Sequence, residues 1–95
     1  MRIELTLLAK EDLTSINLYL KRDNPNLVSS TLNNLGLQIM MLSDFPNRGR
    51  DGTIEGTKEL VMPKLPYYVI YEIYEEKIKV LRIYHTSRRP LTNAS

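Results

Sequence analysis

The side chains suited to chemistry are few, and most lie in the last third of the chain. His85 is the only histidine, and an ordinary imidazole pKa of about 6.5 suits proton transfer. Arg82 and Arg88 lie close to it in sequence, tyrosines cluster from Tyr67 to Tyr84, and Lys58 stands upstream. One imidazole, several fixed cations and several phenols can move a proton beside an anionic group. The same residues also suit plainer roles. His85 can be a hydrogen-bonded strand end, Arg82 a structural cation, Arg88 a solvated tail residue, and the tyrosines core or interface. Residue types alone leave both readings open. A single histidine is not a metal site, and no carboxylate cluster is spaced to complete one. The absence of cysteine excludes disulfides and thiolate sites. No cofactor is expected: the glycines between Phe45 and Thr57 lack Walker spacing, a preceding strand and a following helix.

All of these residues but Lys58 lie in the stretch from Pro66 to Arg88, which is rich in β-branched and aromatic residues and broken at Glu75-Glu76. That pattern predicts a β-hairpin with a two-residue loop. Tyr74 then faces Lys77, and Glu72 falls opposite Lys79 as an opposite-charge pair. Counting on without interruption puts Tyr67, Val69, Tyr71, Ile73, Ile78, Val80, Arg82 and Tyr84 on one face. The other face carries Tyr68, Ile70, Glu72, Lys79, Leu81, Ile83 and His85, so His85 and Tyr68 become diagonal neighbours. If two helices cover the first face, Tyr68, Ile70, Leu81 and Ile83 form an exposed apolar patch rimmed by Lys79 and His85. Such a patch points to a protein partner.

The rest of the chain supplies those helices. Alternation at Ile3, Leu5 and Leu7 predicts an opening strand over residues 2–8. A helical stripe of Leu13, Ile16 and Leu20 follows from Lys10 onward, with Tyr19 beside it, and Asn24-Pro25 ends it. Val28, Leu32, Leu35, Ile39 and Leu42 mark a second helix, in which Gly36 is read as a point of close approach to the first. Lys58–Met62 reads as a short strand stopped by Pro63. The expected fold is α+β, β-α-α-β-β-β, with an antiparallel C-terminal meander and a two-helix hairpin on one sheet face. Its 95 residues are expected to form one domain, 1–95, with 91–95 a frayed tail. No apolar run approaches a membrane span, and the N-terminus lacks a signal-peptide pattern, so a cytoplasmic protein without membrane contact is expected. The net charge is +2, yet Lys77, Lys79, Arg82, Arg88 and Arg89 follow one another with no acidic residue after Lys77. A basic end suits nucleic acid or an acidic partner.

Several segments, in this order, resemble the RelE/ParE superfamily of bacterial type II toxins. They are A-K-E-D-L-T-S-I-N-L-Y-L at 9–20, F-P-N-R-G-R at 45–50, G-T-K-E-L-V at 56–61, P-Y-Y-V-I-Y at 66–71 and V-L-R-I-Y-H-T-S-R at 80–88. The resemblance covers nearly the whole chain. It implies a growth-inhibiting toxin neutralised by a cognate antitoxin, within a toxin–antitoxin hetero-oligomer. It also implies one of two targets. RelE-like members cut mRNA on the ribosome, whereas ParE-like members poison DNA gyrase. Nuclease members resemble one another in an arginine at the start of the penultimate strand, where this chain has Tyr68. Lys58 lies near a position where nucleases often carry lysine, and His85 with Arg88 matches a terminal H-x-x-R found in both branches. The glycine-bearing segment before Glu59-Leu60 is similar to ParE-like plasmid-stabilisation sequences, which favours gyrase. The ribosome-dependent mRNA interferase is the alternative, with His85, Arg88 and Lys58 as catalytic candidates. A non-toxic interaction module is the second alternative. The expected antitoxin-binding residues are Tyr68, Ile70, Lys79, Leu81 and Ile83.

Overall fold

The computed structural model describes residues 1–87. Arg88 and the tail expected to fray lie outside the described residues. Strand β1 (Arg2–Leu5) leads into helix α1 (Leu7–Asp23), and a 3₁₀ turn at Pro25–Leu27 leads into α2 (Val28–Met40). A second 3₁₀ turn at Met41–Ser43 precedes β2 (Arg50–Asp51), β3 (Lys58–Val61), β4 (Tyr67–Tyr74) and β5 (Lys77–His85). The sheet order is β1-β5-β4-β3-β2. β1 runs parallel to β5, and every other pair is antiparallel. The fold is therefore the expected α+β arrangement, with a two-residue strand added at the far edge.

The first helix begins three residues earlier than the alternation suggested. Thr6 supplies the reason: its Oγ1 accepts the Ala9 N–H at 3.1 Å, a cap worth about 1 kcal/mol. The chain therefore leaves the sheet after Leu5, and Leu7 and Leu8 become exposed residues of the first helical turn. At the other end Asn24 donates its N–H to Leu20 O at 2.7 Å, and Pro25 opens the 3₁₀ turn.

Both helices press on one face of the sheet. Ala9, Ile16 and Leu20 of α1 share a core with Leu35 and Ile39 of α2, with Leu42 after it, and with Val69, Tyr71, Ile78 and Val80 of the hairpin. Leu13, Val28 and Leu32 pack partly buried at its margin. Gly36 does not mark a close approach, since nothing lies within 4 Å of where its Cβ would be. Gly49 does meet a neighbour closely. A Cβ there would lie 2.8 Å from the Tyr71 hydroxyl and 2.9 Å from Glu59 O. The same hydroxyl accepts Gly49 N–H at 2.9 Å and donates to Pro46 O at 2.7 Å. The glycine-rich segment is thus partly pinned to the sheet by one buried tyrosine. No helix among the described residues is long and apolar enough to cross a membrane.

Candidate functional site

The hairpin starts as counted. Tyr74 pairs with Lys77, Glu72 with Lys79, Ile73 with Ile78 and Tyr71 with Val80. Glu75 and Glu76, at φ 48° and 62°, turn the chain through left-handed conformations, as a two-residue hairpin loop demands. Then the register slips. Ile70 pairs with Arg82, so Leu81 is an extra residue in a β-bulge. Every later side chain of β5 changes face, because strand side chains alternate with period two.

The slip corrects four placements. Ile83 opposes Val69 and lies in the core beneath the helices, so it cannot belong to an exposed antitoxin-binding patch. His85 opposes Tyr67, with the rings edge-to-face and centroids 5.5 Å apart. Tyr84 opposes Tyr68 on the far face, with ring centroids 5.8 Å apart, and Arg82 opposes Ile70. His85 and Tyr68, expected as neighbours, stand on opposite faces. The far face also differs from expectation. Tyr68, Ile70 and Tyr84 are buried there and form a small cluster with half-buried Leu81.

The bulge is held by the start of α1. β1 ends at Leu5, so beyond Val80 the outer edge of β5 has no strand beside it. Thr6 takes over by donating its N–H to Val80 O at 3.0 Å and its hydroxyl to Leu81 O at 2.9 Å. Asp12, six residues further along the chain in α1, accepts the Ile83 N–H at 2.9 Å. The same carboxylate grips the Arg82 guanidinium in a fork, Nε to Oδ2 at 2.9 Å and Nη2 to Oδ1 at 3.0 Å. Two parallel charge-assisted bonds make this a strong pairing. The Asp12 hydrogen bond raises the guanidinium pKa further above its ordinary value. Arg82 also lies over the Tyr84 ring, 4.6 Å from its centroid. An arginine so engaged is a structural part.

The other candidates are dispersed. Lys58 opposes Tyr71, whereas His85 opposes Tyr67. Four residues along a strand separate those rungs by roughly 13 Å. Lys58 Nζ lies 3.4 Å from Asp51 Oδ1. Half-buried Lys79 sits over the Tyr74 ring, 5.6 Å from its centroid. His85 Nδ1 accepts the Ser87 N–H at 3.0 Å and lies 2.8 Å from Ser87 Oγ. That bond leaves Nε2 to carry the proton of the neutral ring. A cleft of about 340 Å³ between α1 and the end of the hairpin holds Asp12, Tyr19, Tyr67, Arg82, Tyr84 and His85. Burial, then the nearby Tyr19, pushes the Tyr67 phenol above its ordinary pKa.

Sequence reading missed one residue central to the far face. Glu59 is buried opposite Ile70, accepting the Thr53 N–H at 3.3 Å with Arg50 Nη2 at 3.5 Å. Burial, then Glu59, then Tyr84 raise the Tyr68 phenol above its ordinary pKa. The surroundings of Tyr68 therefore favour a neutral hydroxyl beside a carboxylate. The available signal was a lone carboxylate between Lys58 and the apolar Leu60-Val61 in the short run K-E-L-V. Asp12 was also legible in part, as the acid of A-K-E-D-L, but nothing local tied it to Arg82.

A family profile described as "ParE toxin of type II toxin-antitoxin system, parDE" matches residues 3–90. Y4kP of Sinorhizobium fredii (strain NBRC 101917 / NGR234), named as a candidate toxin, is 31% identical over 88 residues, spanning 93% of this chain and 91% of its own. Among solved structures, a chain of the chromosomal ParDE TA system from P. aeruginosa superposes with a TM-score of 0.81 at 20% identity, covering 90% of this chain and 95% of its own. A chain of the RelBE2 toxin–antitoxin complex from Mycobacterium tuberculosis gives 0.60 at 21%, covering 88% and 95%. A mutant of YafQ from E. coli gives 0.59 at 16%, covering 92% and 96%.

Proposed function

The chain belongs to the ParE toxin family of type II toxin–antitoxin systems, and from that premise we propose that it inhibits growth by binding DNA gyrase and is neutralised by a cognate antitoxin. The observation that carries this reading is the split made by the bulge. His85 is on the helix side of the hairpin and Tyr68 on the other. Cleavage of a phosphodiester needs base, acid and cation converging within hydrogen-bond reach of one phosphate. Here Arg82 is held by Asp12, Lys58 stands rungs away from His85, and the Tyr68 side carries the Glu59 carboxylate. A carboxylate beside that position repels a phosphate. A binding surface needs no such convergence, so the dispersed arrangement suits a toxin that acts by contact.

The antitoxin is proposed to engage the hairpin through Lys79 and Leu81, both half-buried and open to further contact. Tyr68 and Ile70 are buried in the small cluster against which Leu81 packs. Supercoiling and cleavage assays with purified gyrase, set beside primer extension on translated mRNA, test the reading. Inhibition or trapped cleavage by gyrase is expected, with intact mRNA. His85→Gln should retain growth inhibition, because a binding surface loses one contact, whereas loss of an acid–base group removes about 10²–10⁴-fold in rate. Cleavage of ribosome-bound mRNA with gyrase unaffected would overturn the proposal.

A further inference from the structure

The cleft between α1 and the end of the hairpin contains a polar group that the fold leaves unused. Tyr67 is 4% exposed, and its hydroxyl has no hydrogen-bond partner among the described residues. Every fully buried side-chain nitrogen or oxygen among those residues does have one. The Tyr67 hydroxyl therefore reaches solvent, and the cleft it lines, of about 340 Å³, is the opening. Burial, then Tyr19, raises the phenol pKa, so at neutral pH the hydroxyl is a protonated donor. A buried ring that presents an unbonded O–H to a cleft is a donor held in place for a group from outside.

The rest of the lining says what that group is. The Tyr67 ring meets His85 edge-to-face, and Tyr19 and Tyr84 add further aromatic walls. His85 turns Nδ1 to Ser87, which leaves Nε2–H as a second donor. Ser15 and Ser87, both exposed, line the cleft with hydroxyls that accept as well as donate. Among the described residues, the charged members of the lining are Asp12 and Arg82, and these are bound to each other in the fork. Their charges cancel, so the cleft offers an anion no free counter-charge. An ion entering it would give up water without an equal return, whereas a neutral polar group gives up far less.

We propose that this cleft binds a neutral planar amide, whose carbonyl oxygen takes the Tyr67 O–H and the His85 Nε2–H while its N–H groups meet a serine hydroxyl. The aromatic walls suit a flat group packed against ring faces and edges. Such an amide is carried either by a free ring-bearing carboxamide or by the asparagine or glutamine side chain of a partner protein. The site is distinct from the surface of Lys79 and Leu81 proposed for the antitoxin, since His85 lies six residues along β5 from Lys79, roughly 20 Å.

Nuclear magnetic resonance titration of the full chain, freed from co-expressed antitoxin, tests this with three probes: benzamide, benzoate and N-acetyl-glutaminamide. The backbone amides of Ile83, His85 and Ser87 are the reporters. The expected result is saturable shifts at these signals with at least one of the two amides, at an affinity about three-fold or more above that of benzoate. Whichever amide binds more tightly names the source, a free ring-bearing carboxamide or a partner's side chain. Tyr67→Phe should keep the melting temperature, because the hydroxyl makes no bond within the chain, and should weaken amide binding about three-fold or more. Absence of shifts up to tens of millimolar amide overturns the proposal. So does benzoate binding as tightly as the better amide, or binding indifferent to Tyr67→Phe. The comparison of probes uses the unmodified protein, so it decides the matter even where the variant fails to fold. Neither gyrase nor antitoxin enters the experiment, and its failure leaves the proposed function untouched.

Discussion

Removing the Asp12 carboxylate probes the join between α1 and the bulge. Asp12→Ala leaves two groups without their partner: the N–H of buried Ile83 and the forked guanidinium of Arg82. An unsatisfied buried donor costs about 1–3 kcal/mol. The Arg82 side chain is 26% exposed, against 15% for Asp12, so water recovers part of its loss and about 1 kcal/mol is left for that half. The expected total is about 2–4 kcal/mol, a large share of the stability of a domain this size. At about 4–8 °C per kcal/mol, the melting temperature should fall by about 8–30 °C. Asp12→Asn keeps an oxygen for the Ile83 N–H and should lose about half as much. Urea unfolding of Asp12→Ala, Arg82→Met and the double variant gives the coupling, expected at about 1 kcal/mol or more. A loss below about 0.5 kcal/mol in Asp12→Ala, or zero coupling, would refute the view that this carboxylate holds the bulge.

Three further outcomes are expected. Ile83→Asp and Val80→Asp should both destabilise the fold by about 3 kcal/mol or more, since both residues are in the core and each change buries an unpaired charge; thermal unfolding that spares Ile83→Asp would contradict the register. Replacing Glu75-Glu76, both at positive φ, by Asn-Gly should stabilise by about 1 kcal/mol or more, because the left-handed conformation costs a glutamate about that much per residue; an unchanged melting temperature would count against the turn geometry. The raised Tyr67 pKa means that the fold favours the neutral phenol, so this contribution is intact below the ordinary value of 10.0 and is lost as pH climbs through the higher folded value. Stability should therefore fall in that alkaline window and fall less in Tyr67→Phe, as read by denaturant midpoints against pH.

Half of the hairpin was legible because the loop and the alternation agree. From Tyr74–Lys77 back to Tyr71–Val80, counting alone finds every pair. Beyond that point V-L-R-I-Y-H alternates almost equally well in either phase, since Leu81 and Ile83 are both apolar and Arg82 and Tyr84 each tolerate both faces. What decides the phase is Asp12, about seventy residues away, which takes the Ile83 N–H and the Arg82 fork together. No local pattern carries that information. The helix stripes were legible for the usual reason, their period, but the start of α1 was hidden by Leu5-Thr6-Leu7, where a cap residue imitates the polar step of a strand. β2 was illegible because Arg50-Asp51 are extended only through their pairing with Glu59 and Lys58. The site followed the same division: the residue types were legible, and their grouping, set by the bulge, was not.

The sheet order also sets when the molecule can exist. β5 emerges last from the ribosome among the five strands, yet it sits between β1 and β4. Ile3 must wait for Ile78, and Leu5 for Val80, before the first strand has any neighbour. The helices made meanwhile lack the floor of Ile78 and Val80 on which they pack. Helices of 17 and 13 residues are marginal alone in water. Pairing β1 with β5 closes a long loop, which places the slow step of folding after β5 has been made. A product released before β5 therefore has no native core.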